Sequence, residues 1–310
     1  MEFIRYNKGL KNEWDCFVDH CKNKHFMFHR DYMDYHEEIF KDHSIIIYEK
    51  NKIVAVVPAN ESENTLYTHQ GLTFGGVLYG PEQGSDFILK IFEGLKNYCL
   101  DNGINRIIYK NIPYIYTKIP SDEDKYALFI NNASLYRRDV SVAIKLEASI
   151  PYQKRRTRSI KKALKSNVTV METKDFSEYW KLLNNVLSKQ HETKPVHSIE
   201  EIHSLRRSFP NNIRCFVASM DDEVIAGTVV YVTERVAHCQ YLASNDKGRS
   251  VGALDYVLDF LIKGEFKDKD YFDFGISNED QGRFLNSGLI AQKEGFGARA
   301  VTHDFYELVL

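Results

Sequence analysis

Between Pro151 and Ser166 the chain carries seven cations, Lys154, Arg155, Arg156, Arg158, Lys161, Lys162 and Lys165, and no acid. A solvated helix face ordinarily mixes signs, so this run creates a strongly positive local field. On a helix centred on Ile160, the apolar Ala163 and Leu164 fall beside it and most cations point away. That surface would suit the phosphates of a nucleotide-sugar, coenzyme A or tRNA, with Arg155, Arg156 and Arg158 as contacts. The alternative is a solvated helix balanced by carboxylates of neighbouring elements.

A second anion candidate is Asn245 to Ala253, NDKGRSVGA, between a strand and a helix. Unpaired amides at a helix start favour an anion, which selects Lys247, Gly248, Arg249, Ser250 and Gly252; a plain cap by Ser250 competes. Asp273 shares a strand face with Tyr271 and Gly275, opposite Phe272 and Phe274. At the edge of a cleft its carboxylate could accept an amine proton, pair with Arg299 or cap the next turn. His191 and His197 read as bases by intrinsic pKa or as loop residues binding a substrate's polar groups. His69 and Gln70 open a glycine-bearing loop, HQGLTFGG, that reads as an acceptor pocket or a sheet-edge turn.

Other chemistries are excluded by spacing. There is no Gly-x-Ser-x-Gly elbow, and His191-Glu192 is followed by Thr193-Lys194-Pro195 rather than by the second histidine of a zinc protease. Cys16, Cys21, His25 and His29 are metal-capable, but they lack the long finger of a zinc module. Five positions separate the two thiols, about 140° around a helix, so no bound metal is expected.

These residues are positioned by a weak internal duplication. Ser44 to Ala59 reads as two strands around a turn at Lys50-Asn51, and Arg214 to Val230 repeats the plan around Asp221-Asp222, displaced by about half the chain. After each hairpin come a strand (Thr65 to His69; Val236 to Ala243), a glycine-containing loop, a helix (Asp86 to Leu100; Gly252 to Ile262) and a short strand (Arg106 to Lys110; Tyr271 to Ile276). The strand–helix–strand order favours parallel pairing beyond an antiparallel hairpin, a mixed α/β sheet in each half. Domains are expected over 1–148 and 149–310.

Length and composition agree with two packed domains: 310 residues, 43% hydrophobic, 27% charged. A net charge of −2 gives no global field for DNA or anionic lipid, so any polyanion site is local. Five scattered cysteines suit a reducing compartment, the N-terminus lacks a signal-peptide stretch, and no apolar run reaches the ~20 residues of a membrane span. A cytoplasmic protein is expected.

The arrangement resembles the GNAT acyltransferase core, and its duplication resembles the Fem-type peptidyltransferases and their acetyltransferase-like relatives. YQKRRTRSIKKALKSNVTV from Tyr152 is similar to the basic helix entering the second Fem-type domain. YFDFGIS from Tyr271 followed by LNSGLIAQKEGFGAR from Leu285 looks like the family's closing motif. HETKPVHSIEE from His191 resembles a segment of GNAT-like members from surface-polysaccharide loci.

The resemblance implies two tandem GNAT-like domains and an N-acyltransferase with no tightly bound cofactor. It implies acyl-CoA, or alternatively aminoacyl-tRNA, as co-substrate and an amine of a cell-surface precursor as acceptor. A non-catalytic module binding a nucleotide-sugar or a protein is a further alternative. The Asn245 to Ala253 segment then stands where the coenzyme pyrophosphate binds, although Leu254 occupies a position the family keeps small. Lys293, before Gly295-Phe296-Gly297, stands where the family places a lysine near the donor, stabilising developing charge or holding a phosphate. An ordinary surface lysine flanking a turn is the competing reading.

Overall fold

The computed structural model describes every residue except Glu37 and Glu192, and every side chain except those two and positions 36, 190 and 191. The chain divides into two compact units. One comprises Met1–Val140, Asp280–Arg283 and Thr302–Leu310, the other Ser141–Glu279 and Phe284–Val301.

The first unit runs β1 (Glu2–Arg5), α1 (Lys11–His20), α2 (Arg30–Met33), β2 (Ile45–Glu49), β3 (Lys52–Val57), β4 (Asn60–Ser62), β5 (Thr65–Tyr67), β6 (Leu78–Tyr79), α3 (Ser85–Asp101), β7 (Arg106–Lys110), α4 (Glu123–Ile130) and the start of β8 (Ser134–Lys145). The hairpin β2–β3 turns at Lys50 and Asn51, both at positive φ, the twist that a two-residue hairpin loop requires. Strand β5 pairs with β7 in parallel through the α3 crossover. Helix α3 buries Ile88, Ile91, Phe92, Leu95 and Cys99, a helical-period stripe, in a core with Ile45, Ile47, Val57 and Leu66.

The second unit takes the end of β8, then α5 (Lys154–Lys165), β9 (Thr169–Thr173), α6 (Ser177–His191), α7 (Ile199–Ser208), β10 (Ile213–Met220), β11 (Glu223–Val232) and β12 (Val236–Ser244). It continues with α8 (Asp246–Val251), α9 (Ala253–Phe260), β13 (Tyr271–Ile276), β14 (Asn278–Glu279), β15 (Phe284–Leu285), α10 (Ser287–Glu294) and the first residues of β16 (Arg299–Val309), which ends in the first unit paired with β7. Its strand order is β8-β13-β12-β11-β10-β9, parallel between β12 and β13 and antiparallel elsewhere. The plan of the first unit recurs: the β10–β11 turn places Asp221 and Asp222 at positive φ, and α9 lies between the two parallel strands. Val230, Val232, Ala237, Cys239, Val257, Leu258, Phe272 and Phe274 share one core.

One element departs from expectation. The segment read as a loop before Gly252 is helical as α8, capped by Asn245, whose Oδ1 accepts from the Gly248 amide, and not by Ser250. Gly252 has a φ of +82° and separates α8 from α9; a Cβ there would collide with the backbone of Ser159 on α5. Close helix packing requires this glycine. Among the described residues no helix is long and apolar enough to cross a membrane, and no cluster of metal-binding side chains forms.

Candidate active site

Strands β12 and β13 pair over only three residues, Val236 with Tyr271, Ala237 with Phe272 and His238 with Asp273, and then part. Two local features separate them. In β12, Cys239 faces Val230 and Tyr241 faces Val229, so Gln240 is an inserted residue. Such a bulge re-aims side chains: Tyr241 comes to the same face as His238, the face of Val229 and Tyr231. In β13, Gly275 has a φ of +76° and the register with β8 slips between Asp273 and Ile276. The bend and the bulge open a wedge beyond the His238–Asp273 pair.

A chain of polar groups lines the base of this wedge. Asp273 is 0% exposed. Its Oδ1 accepts from Ser141 Oγ at 2.6 Å and from the Gly275 amide at 3.0 Å, and its Oδ2 lies 2.8 Å from His238 Nδ1. These donors replace the water that a buried carboxylate loses. His238 is 8% exposed, and among the described residues no group bonds its second nitrogen, Nε2.

Lys293, in the last turn of α10, is 5% exposed and donates from Nζ to the carbonyls of Gly275, at 2.9 Å, and Ile276, at 2.6 Å. Burial pushes its pKa down to about 8, against the pull of Asp273 and of Cys239, which holds it higher than burial alone would. An ammonium has three N–H donors, so one remains after the two carbonyls. The reading of Lys293 as a surface lysine does not fit this burial.

The other candidates separate into distinct places. On α5, Arg156 is buried and its Nη1 donates to both Asp255 oxygens, at 2.7 and 2.8 Å, while Lys154, Arg155, Arg158, Lys161, Lys162 and Lys165 are exposed. Among the described residues these six have no ion-pair partner, so the balancing carboxylates of the alternative reading are absent there. On α8, Lys247 pairs with Asp221 and Glu223, Arg249 pairs with Asp246 and donates to the Ser244 carbonyl, and Ser250 Oγ donates to the Lys247 carbonyl. A Cβ on Gly248 would collide with the Ile225 carbonyl.

His197 is buried, with Nδ1 2.5 Å from Tyr241 Oη, which places it on the wedge side of β12; the His191 side chain lies outside the described residues. Arg299 is exposed and donates to the Ala298 carbonyl. His69 and Gln70 belong to the first unit. His69 is buried, Gln70 bonds Asn60, and Lys110 Nζ donates to the carbonyls of His69, Gln70 and Leu72, so that loop is held as a tight turn.

The wedge thus combines a cation with a spare donor, an imidazole oriented by a carboxylate, and unpaired strand edges. That set can polarise a carbonyl and relay a proton during attack by a neutral amine. Sequence reasoning found Lys293 and Asp273 but passed over His238 and Tyr241. No signal in the sequence marks His238, because plain alternation puts it with Gln240 and only the bulge brings Tyr241 to its face.

Residues 152–281 match the family model described as Acetyltransferase (GNAT) domain. No curated protein sequence matches the chain. Among solved structures the chain is similar to FemX, at 10% identity and a TM-score of 0.72 over 100% of this chain and 98% of that one. A conserved protein of unknown function from Bacteroides thetaiotaomicron gives 9% and 0.63, each chain covered fully. L-PGS from Bacillus licheniformis gives 12% and 0.61, over 86% of this chain and 84% of that one. At such identities the likeness is one of fold, and it extends over both units.

Proposed function

We propose that this chain, an acyltransferase built around a GNAT domain at residues 152–281, passes an aminoacyl group from an aminoacyl-tRNA to a primary amine of a cell-surface precursor, an amino sugar or a peptide. The observation that carries the donor is the outer face of α5, where six cations have no ion-pair partner among the described residues. Exposed cations without partners are what a phosphate backbone neutralises, releasing its condensed counterions. The face begins beside the chemistry: the Gln153 amide donates to the Gly295 carbonyl, two residues beyond Lys293. A donor lying along α5 would bring its ester to the wedge.

There the ester is already activated, so transfer needs a neutral amine, a polarised carbonyl and a route for the proton. With a pKa of about 8, Lys293 is charged at neutral pH, and its remaining N–H can stabilise the oxygen that gains charge. Aminoacyl-tRNA is a cytoplasmic donor, which sets the reaction in that compartment. The envelope precursor rests on the resemblance to Fem-type enzymes.

Acyl-CoA is the second reading. It is favoured by the parted edges of β12 and β13, which offer backbone groups to an extended amide-bearing arm. Against it, Lys247 and Arg249 are already engaged with acids where a pyrophosphate would bind.

Transfer assays with charged tRNA and with acyl-CoA against a panel of amines separate the two. The double variant Arg155→Ala, Arg158→Ala should bind tRNA more weakly, with the larger loss at low ionic strength, where screening is least. Unchanged tRNA affinity at both salt concentrations, with acyl-CoA as the active donor, overturns the tRNA reading.

A further inference from the structure

We propose that His238 is the group that takes the proton from the attacking amine, and that Asp273 is its positioning residue; this rests on the acyl-transfer reading above. Four groups on the wedge side could serve as a base, and geometry removes three. His197 has its Nδ1 engaged with Tyr241 Oη and its Nε2 shielded from solvent. Asp273 is fully buried and its oxygens are occupied by Ser141, Gly275 and His238, so no substrate amine reaches it. Lys293 is committed to the Gly275 and Ile276 carbonyls as a donor. His238 remains.

Its Nδ1–H donates to Asp273 Oδ2, which selects the tautomer whose Nε2 carries a free lone pair. Nε2 has no partner among the described residues, and the ring stands at the last paired position before the strands part. Gly275 lies beside the ring: a Cβ there would make an ordinary van der Waals contact, 3.4 Å, with His238 Cε1. Asp273 also stabilises the imidazolium formed when the proton arrives. Charged or titratable groups near the pair include Lys293 on α10, the buried Cys239 on β12, Tyr231 on β11 opposite His238 in register, and Tyr241 on the same face.

The step balances as follows. The amine nitrogen bonds the donor carbonyl carbon, the carbon–oxygen ester bond breaks, and the amine proton passes to Nε2. The imidazolium then returns that proton to the leaving oxygen, so the products are an amide and a free hydroxyl, with no oxidant or metal consumed.

The test is His238→Gln and Asp273→Asn in the full chain, assayed with whichever donor the wild type uses and checked by thermal unfolding and donor binding. His238→Gln should lower kcat by about 10²-fold or more with KM little changed. Asp273→Asn should lower kcat and shift the imidazole ¹⁵N resonances of His238 away from the Nδ1–H tautomer, a readout a merely structural aspartate would not move. Wild-type kcat in His238→Gln overturns the assignment and leaves acyl transfer intact, and ¹⁵N shifts showing an Nε2–H tautomer in the wild type overturn it without any activity measurement. Wild-type protein inactive with every donor instead overturns the acyl-transfer reading, while the ¹⁵N shifts still decide the His238–Asp273 geometry.

Discussion

Lys293 carries two roles on one Nζ, and Lys293→Ala removes both together. As a buried donor it satisfies the carbonyls of Gly275 and Ile276, and as a cation it stands at the wedge. Lys293→Ala should therefore lower turnover by on the order of 10²-fold, the scale of losing one electrostatic donor. Lys293→Arg should rescue little, because a planar guanidinium cannot reach both carbonyls from the place of a compact ammonium. Burial holds the pKa at about 8, so the cation is lost as pH rises through that value. Turnover should fall on the alkaline side with a midpoint near 8, and the residual activity of Lys293→Ala should lack that limb. Steady-state kinetics across pH check both; an alkaline limb that persists in the variant assigns it to another group. Lys293 was legible in the sequence through its place before Gly295-Phe296-Gly297, and Asp273 through strand alternation. His238 was not, because its significance comes from a partner on another strand and from a bulge at Gln240 that no residue type announces.

Helix α5 shows how one amphipathic element divides its labour. Arg156, Ile160 and Ala163 form its buried face, and Arg156 makes a two-oxygen ion pair with Asp255 of α9 while lying over the Phe296 ring. The basic run in the sequence made all its cations look alike; which one turns inward depends on Asp255, far along the chain. Arg156→Met should cost about 3–5 kcal/mol, because it leaves a buried carboxylate without its partner. Arg155→Ala, on the exposed face, should change stability by no more than about 0.5 kcal/mol. Denaturant melts of the two variants test this, and a loss in Arg156→Met like that of Arg155→Ala would show the pair to be replaceable by solvent. Adding Asp255→Leu to Arg156→Met should recover part of the loss, since an apolar pair leaves no charge behind. The same packing explains why Gly252 was readable as a special position but not for what: the backbone that approaches it is Ser159 of α5.

At the scale of the molecule, the duplicated hairpin, parallel strand pair and crossover helix were legible because each is written in local periodicity and turn residues. The limits of the units were not, because they depend on where strands from opposite ends of the chain pair. An expected boundary at 148/149 follows the repeat, whereas the compact units exchange segments. The second unit takes Ser141–Lys145 of β8 as the neighbour of β13, and the first takes Thr302–Leu310, which pairs with β7 from Phe305 to Val309. A fragment 149–310 therefore lacks the strand that covers the β13 edge and the Ser141 hydroxyl that bonds Asp273. It also keeps residues 302–310 without the strand they pair with. An exposed sheet edge beside a buried carboxylate missing a donor should leave this fragment aggregated or incompletely folded. A fragment beginning at 141 and ending at 301 retains both features and should be the more soluble and better dispersed in ¹H–¹⁵N spectra. If 149–310 instead folds with native dispersion, the β8 contribution is dispensable, and Ser141 is no part of what holds Asp273 and His238 in place.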